Sequence, residues 1–298
     1  MAFNAQIDID SSFVYIMLNL LKDSNSNIES VTQHPVGKMI FSHASEVLGY
    51  SEDINSFWNN IIKKERAKGK EHIANIESCL EYINTHSIEF LEAFNEIPKY
   101  LPRSYNLKCK LYLGIGYDIG IAYQGNAMIN VGNSIFHKNN RELPFFAMHE
   151  LHHVGFFSFQ PLNFSLASIK TTENLIDAIR YLTHLEGLAT YAPFSLRKRY
   201  NEVSFFDYQI LMNPEKRKIF TYEYFRILSE LEHKREKPLG EADFNILEVM
   251  SGQNKRLWYV TGCHMAEEID KHFGREILIQ TILDGPESFF KYYFKTTL

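Results

Sequence analysis

Phe145-Phe-Ala-Met-His-Glu-Leu-His-His-Val-Gly155 is the stretch from which the rest of the chain is read. Within it His149-Glu150-Leu151-His152-His153 fits the pattern H-E-x-x-H. On a helix, at about 100° per residue, His149 and His153 lie about 40° apart, so both imidazoles reach one metal ion. Glu150 projects about 60° from His153, close enough to hold a metal-bound water without being a ligand. His152 points about 100° from His153, away from Glu150, and reads as a packing or solvent-contacting residue.

The flanks support a helix over residues 141–157. Glu142 and Pro144 suit its first turn, where a carboxylate and a fixed φ are favoured, and Phe145, Phe146, Leu151 and Val154 supply apolar packing. Upstream, Leu107-Lys-Cys-Lys-Leu-Tyr-Leu113 alternates as a strand does, and Ala127-Met-Ile-Asn-Val131 reads as a second strand, a candidate edge for pairing with an extended peptide. Gly114, Gly116, Gly120 and Gly125 break the segment between them into turns, and no phosphate-binding glycine motif is completed. His137, just beyond, reads as a loop residue.

A catalytic zinc takes three protein ligands and leaves one position for water. Downstream, Thr171-Thr-Glu173 is a helix start, and the helix it opens runs to about Ala192 with His184-Leu-Glu-Gly-Leu-Ala-Thr-Tyr191 inside it. Glu186, set among Leu182, Leu185 and Leu188, is the first candidate for the third ligand; His184, Glu173 and Asp177 are the alternatives. Gly187 and Ala189 would let this helix come close to the metal helix. Glu150 would then act as general base, taking a proton as zinc-bound water attacks a carbonyl.

With these residues in place, the chain resembles the gluzincins, zinc peptidases with two histidines and a glutamate as ligands. More narrowly, it is similar to an uncharacterised bacterial group regarded as zinc-dependent peptidases. These combine H-E-x-x-H, an E-G-x-A helix and a later Tyr-x-x-Gly segment, matched by His149–His153, Glu186-Gly-Leu-Ala-Thr-Tyr191 and Tyr259-Val-Thr-Gly262. The likeness covers roughly residues 107–298. It implies a zincin-like core with His149, His153 and Glu186 on Zn2+, Glu150 as base, and a peptide or protein as substrate. Through its third part it makes Tyr259 and His264 the candidates for stabilising the oxyanion of the tetrahedral intermediate.

The first hundred residues carry no obvious chemistry. Residues 11–22 read as a helix, Pro35 opens another that runs to Leu48, and a cap at Ser51 starts a long helical region to about Ile97. The run Lys63-Lys-Glu-Arg-Ala-Lys-Gly-Lys-Glu71 mixes its signs and reads as a solvated helix face. Beyond residue 192, a helix or pair is expected over 202–234, then helices near 254–273, 275–283 and 286–295. The expected fold is α+β, predominantly α-helical, with a small sheet before the H-E-x-x-H helix. Its expected organisation is a helical region over 1–105 and a zincin-like catalytic domain over 106–298.

A formal charge of −5 gives no electrostatic footprint for nucleic acid. Three scattered cysteines, with no C-x-x-C pair, argue against a disulfide framework and suit a reducing cytoplasm. No signal peptide and no membrane span are expected. Two other classes compete with the hydrolase. Glu150-Leu-His-His153 and Glu230-Leu-Glu-His233 are both E-x-x-H, the repeat of di-iron carboxylate bundles. A peptidase-like fold kept as a non-catalytic binding module is the third class, although Glu150 is present.

Overall fold

The computed structural model describes residues 5–23, 27–165, 168–235, 237–252 and 254–297. The chain is predominantly helical with one four-stranded sheet, as expected. It forms two compact units: Met1–Pro98, Asn106–Val154 and Ser165–Ala167 in the first, and Lys99–Tyr105, Gly155–Phe164 and Ser168–Leu298 in the second. The first unit draws on residues from both sides of 105.

The reason lies in the sheet. Strand β1 (Gln6–Asp10) pairs in parallel with β2 (Lys108–Gly114), Ile7 opposite Cys109 and Ile9 opposite Leu111. β2 pairs in parallel with β4 (Asn126–Asn130), and β3 (Gly120–Tyr123) closes the other side antiparallel to β4. The order β1-β2-β4-β3 makes β4 an inner strand, which corrects the reading of 127–131 as an edge. Ala127, Met128, Ile129 and Asn130 are all buried, so a near-continuous apolar run is what this position demands. Among the described residues the outer strands are β1 and β3.

The first unit surrounds this sheet with helices α1 (Ser12–Lys22), α2 (Glu29–Thr32), α3 (Pro35–Glu46), α4 (Ile54–Ala67), α5 (Gly69–Thr85) and α6 (Ser87–Glu96). After the strands come α7 (Ser134–Lys138) and α8 (Glu142–Phe157). The α1 helix buries Phe13, Val14, Met17 and Leu18 and packs on β2. Phe13 meets Trp58 of α4 edge-on at 5.4 Å, and the Trp58 indole donates to the Gly37 carbonyl. The long helical region expected from 51 to 97 is three helices. Asp53, not Ser51, caps α4, its carboxylate accepting from the amides of Asn55 and Ser56. At Gly69 a φ of +78° turns the chain from α4 into α5, a conformation that favours glycine.

The run Lys63–Glu71 is not uniformly solvated: Glu65 is 7 % exposed and its carboxylate is held by Lys68 and His72. His137 lies in α7, not in a loop.

The second unit is built on α9 (Thr172–Tyr191) and α14 (Leu257–Phe273), its most extensively packed pair. Thr171 caps α9, accepting from the Asn174 amide. Around them stand α10 (Phe194–Tyr200), α11 (Phe206–Leu211), α12 (Pro214–Glu232), α13 (Glu241–Ser251), α15 (Arg275–Asp284) and α16 (Pro286–Thr296). The sequence reading missed α10 and α13. Phe194, Tyr208, Ile210, Leu211, Val260 and Cys263 form one buried cluster. Gly187 and Gly262 let the two central helices touch: a Cβ on Gly187 would fall 2.5 Å from Gly262 Cα, and one on Gly262 would fall 2.7 Å from Gly187 Cα. Gly187 thus brings α9 against α14; the expected use, an approach to the metal helix, is not what its nearest atoms show.

Among the described residues no helix is long and apolar enough to cross a membrane. The second E-x-x-H copy lies on an exposed face of α12, where Glu230, 59 % exposed, pairs with Arg226. It does not offer the inward carboxylate a di-iron bundle requires.

One histidine of the first unit yields a pH dependence. Burial pushes the pKa of His43 down to about 4, against a smaller upward pull from Glu46, while its Nδ1 shares a 2.8 Å hydrogen bond with the Tyr117 hydroxyl. The unfolded chain binds this proton near pH 6.5 and the folded chain only near 4. The stabilisation is therefore complete above pH 6.5 and is lost as pH falls toward 4, with a slope of up to about 1.4 kcal/mol per pH unit. Urea unfolding from pH 7.5 to 4.5 should show this slope, reduced by nearly one proton in His43→Gln; an unchanged slope would refute the assignment.

Candidate metal centre

The α8 helix is apolar on nearly every side because nearly every side is covered. Leu143, Phe145, Ala147, Met148, Leu151, Val154 and Phe156 are each at most 3 % exposed. Asn139 accepts from the Arg141 amide just before its start, and Glu142 sits buried in the first turn. In this setting the side chains of His149, Glu150 and His153 stand out as the polar groups of one stretch of helix. Glu150 is 7 % exposed and His153 5 %, while His149 is half-buried.

The helical spacing does what the sequence requires of it. His149 Nε2 and His153 Nε2 are 3.0 Å apart, with ring planes nearly perpendicular at 88°. Two nitrogens each about 2.05 Å from a tetrahedral zinc ion are separated by about 3.3 Å. The pair therefore fits a shared zinc with only a small adjustment. His152 is fully buried, so of the two roles read for it packing is the one it fills.

Glu150 has a partner in the sheet that sequence reasoning missed. A Cβ on Gly120 of β3 would lie 2.5 Å from Glu150 Oε1 and 2.7 Å from its Cδ. Only a residue without a side chain leaves the carboxylate this place beside the edge strand. The signal was the glycine itself, one of four read simply as turn residues.

The other predicted residues lie in the second unit. Glu186 is half-buried on α9, next to the Gly187–Gly262 contact. The alternatives on the same helix are occupied otherwise. His184 is fully buried, with Nε2 3.0 Å from Thr281 Oγ1 and its ring stacked on Phe289 at 4.6 Å; burial alone pushes its pKa down to about 3. Glu173 pairs with Arg235 at the surface, and Asp177 is exposed.

Tyr259 and His264 both lie on α14, about 140° apart around the helix. The Tyr259 ring is covered by the Arg256 guanidinium at 3.7 Å, and Arg256 Nε donates to Asp207 Oδ1 at 2.7 Å. Burial opposes the charge on Arg256, but Asp207, with smaller contributions from Tyr259 and Glu186, outweighs it and raises the pKa. Burial raises that of Asp207, against the pull of Arg256. Arg256 itself adopts a left-handed backbone (φ 49°) at the start of α14, a conformation that costs a non-glycine residue of order 1 kcal/mol. Glu186 and Tyr259 thus share one electrostatic neighbourhood through Arg256, a link no motif signalled.

His264 belongs to another surface. It stands with Glu267 and Glu268, its ring 6.0 Å from Tyr293. Burial, then Arg217 and Lys271, push its pKa down to about 4. Glu267 is already held by Lys198 and Arg217.

No curated protein and no solved structure matches the chain. A family model does, over residues 19–297, nearly the whole length. Zinc, expected from the helix with two imidazoles and a glutamate between them, and peptide hydrolysis, expected from the resemblance, are also what that model's description states: the chain belongs to the family described as "Putative zinc dependent peptidase (DUF5700)".

Proposed function

We propose that the protein is a metallopeptidase of the gluzincin kind, with His149, His153 and Glu186 holding one Zn2+ and Glu150 acting as general base. The observation that carries the reading is the 3.0 Å apposition of the two Nε2 atoms on α8. Glu186 as third ligand is supported by its motif and by the commitment of His184 and Glu173 to other partners. The zincin-like character of the core is part of the same proposal.

A bound zinc supplies Lewis acidity and brings the pKa of a water molecule to about 7. The protein's own groups do the rest. Glu150, buried and placed against Gly120, takes a proton from the attacking water and delivers it to the leaving amine nitrogen. Tyr259 donates its phenolic hydrogen to the developing oxyanion, and Arg256 over the ring face holds the ring in place. His264, among Glu267, Arg217 and Lys271, is the weaker candidate for that role.

Among the described residues β3 is an outer strand, and it lies beside Glu150, so an extended peptide pairing with it would bring its backbone carbonyls toward the base. The substrate class is accordingly an extended peptide segment.

Glu150→Gln should keep zinc and fold but lower cleavage of a peptide library by about 10²–10⁴-fold, the usual contribution of a general base. Retained activity in that variant would remove Glu150 from the mechanism. Glu186→Ala should lose zinc during gel filtration while the wild type retains it; equal metal content would place the third ligand elsewhere. For Tyr259→Phe the expected change is a fall in kcat of about 10²–10³-fold with little change in KM. A kcat equal to the wild type's would exclude the tyrosine.

A further inference from the structure

The first unit holds an aromatic recess that the chemistry proposed above leaves without a task. Its volume is about 510 Å³, and its walls include Leu48, Tyr50, Phe57, Ile61, Tyr117 and Asp118. Phe57 of α4 is 5 % exposed, and the rings of Tyr50 and Tyr117 meet it edge-on at 5.1 and 5.8 Å. Both tyrosine hydroxyls are committed elsewhere. Tyr50 donates to Glu52 Oε2 at 2.7 Å, and the Tyr117 oxygen shares its 2.8 Å hydrogen bond with His43. What the two tyrosines offer the recess is therefore ring carbon. Leu48, at the mouth, is 50 % exposed, and Asn60, Lys64 and Asp118 along the rim are exposed as well. Apolar walls of this size inside a polar rim make a site for an apolar group.

The backbone is bent to close this recess. Tyr117 has a φ of 74°, a left-handed conformation that a bulky residue rarely adopts. Gly116 before it is left-handed too, at φ 79°, and a Cβ there would fall 2.3 Å from Ile61 Cγ2. Two successive left-handed residues, pressed against α4, put the Tyr117 ring where it stands. Strain of this sort persists where the surrounding structure enforces it.

The recess and the base share one end of β3. Gly120, the first residue of that strand, turns its bare side to Glu150 on α8. Side chains alternate along a strand, so Tyr123 points to the opposite face, where its ring meets His43 of α3 at 5.6 Å. The Tyr117 ring meets the same His43 at 5.7 Å, so the recess belongs to that opposite face. Tyr117 stands three positions before Gly120, a span of at most about 11 Å. A peptide paired with β3 also sends alternate side chains to the two faces. With its reacting carbonyl at Glu150, the side chain about three residues away reaches the α3 face at the recess.

We propose that this recess is a specificity subsite, taking an aromatic side chain of the peptide substrate about three residues from the cleaved bond. The proposal rests on the reading of β3 as the strand that receives the substrate and of Glu150 as the base. It gives α4 and the segment after α3 a part in choosing the substrate.

The test separates choice from cleavage. Twelve-residue peptides with Phe or Ala at the sixth position, and random non-aromatic residues elsewhere, are offered to the zinc-loaded full chain. Cuts are located by mass spectrometry, and affinities for the same two pools are measured on Glu150→Gln. The Phe pool should be cut at least about tenfold faster and bound at least about tenfold more tightly, as burial of a ring predicts. The cut should fall about three residues from the Phe. Leu48→Lys and Tyr117→Asn should each bring the ratio between the pools to about one, with far-UV circular dichroism showing the fold kept. Asparagine tolerates the left-handed backbone, and Leu48→Lys, at an exposed position, decides the matter if Tyr117→Asn does not fold. Equal treatment of the two pools, or a preference that Leu48→Lys retains, overturns the subsite and leaves the peptidase reading standing. Preferential binding of the Phe pool that Leu48→Lys abolishes, with no cleavage by the wild type, supports the subsite and overturns the peptidase reading instead.

Discussion

Two imidazoles one helical turn apart, with 3.0 Å between Nε2 atoms, cannot both keep their hydrogens between them. One proton or one metal ion must sit there, and His153 is buried in a helix whose other faces are apolar. Everything nearby is adjusted to this constraint. The helix is covered on nearly all sides, which lowers the dielectric around the pair and makes a cation between the nitrogens count for more. A glycine in the edge strand makes room for the intervening glutamate. A zinc ion held there, as proposed, would satisfy both nitrogens at once.

How much of this could be read from residues alone depended on the range of the interaction involved. The α8 helix, the α9 start at Thr171 and the helices from Leu257 onward depend on local spacing and caps, and they are where the sequence reading put them. Some misreadings were local, the cap at Asp53, the helix around His137 and the missed α10 and α13 among them; others involve a partner further along the chain. Gln6–Asp10 alternates polar and apolar residues, yet it becomes a strand only because Lys108–Gly114 lies beside it. Ala127–Val131 was recognisable as a strand, but its inner position depends on β3, four residues too short to announce itself. Glu65 looked like one charge in a mixed run; its burial depends on His72, seven residues on and across the turn at Gly69. Gly187 suggested a close helix approach correctly, and named the wrong helix, since spacing within α9 cannot say which neighbour arrives.

The second unit shows how polar groups survive inside a helical core. Asp207 is buried and its partner Arg256 largely so, and the guanidinium also lies over the Tyr259 ring. A buried ion pair of this kind gives little net stability against apolar residues of the same size, because desolvation consumes most of the Coulomb gain. Its value lies in fixing geometry: one guanidinium, anchored at Asp207 and held by a left-handed backbone, sets where one ring of α14 stands. Arg197 does comparable work nearby, over the Tyr208 ring with an N–H on the Glu202 carbonyl.

The parallel pairing of β1 with β2 has a bearing on how the chain reaches its fold. About a hundred residues, including the six helices α1–α6, separate Gln6 from its partner Lys108. Closing so long a loop costs entropy before the strands return any of it, and contacts of such sequence separation slow folding. During synthesis the first strand must wait, unpaired, until the second has emerged, while the helices between them can form on their own. Gln6, Asp8 and Asp10 alternate with its two isoleucines, and the carboxylates keep that waiting strand from finding another edge.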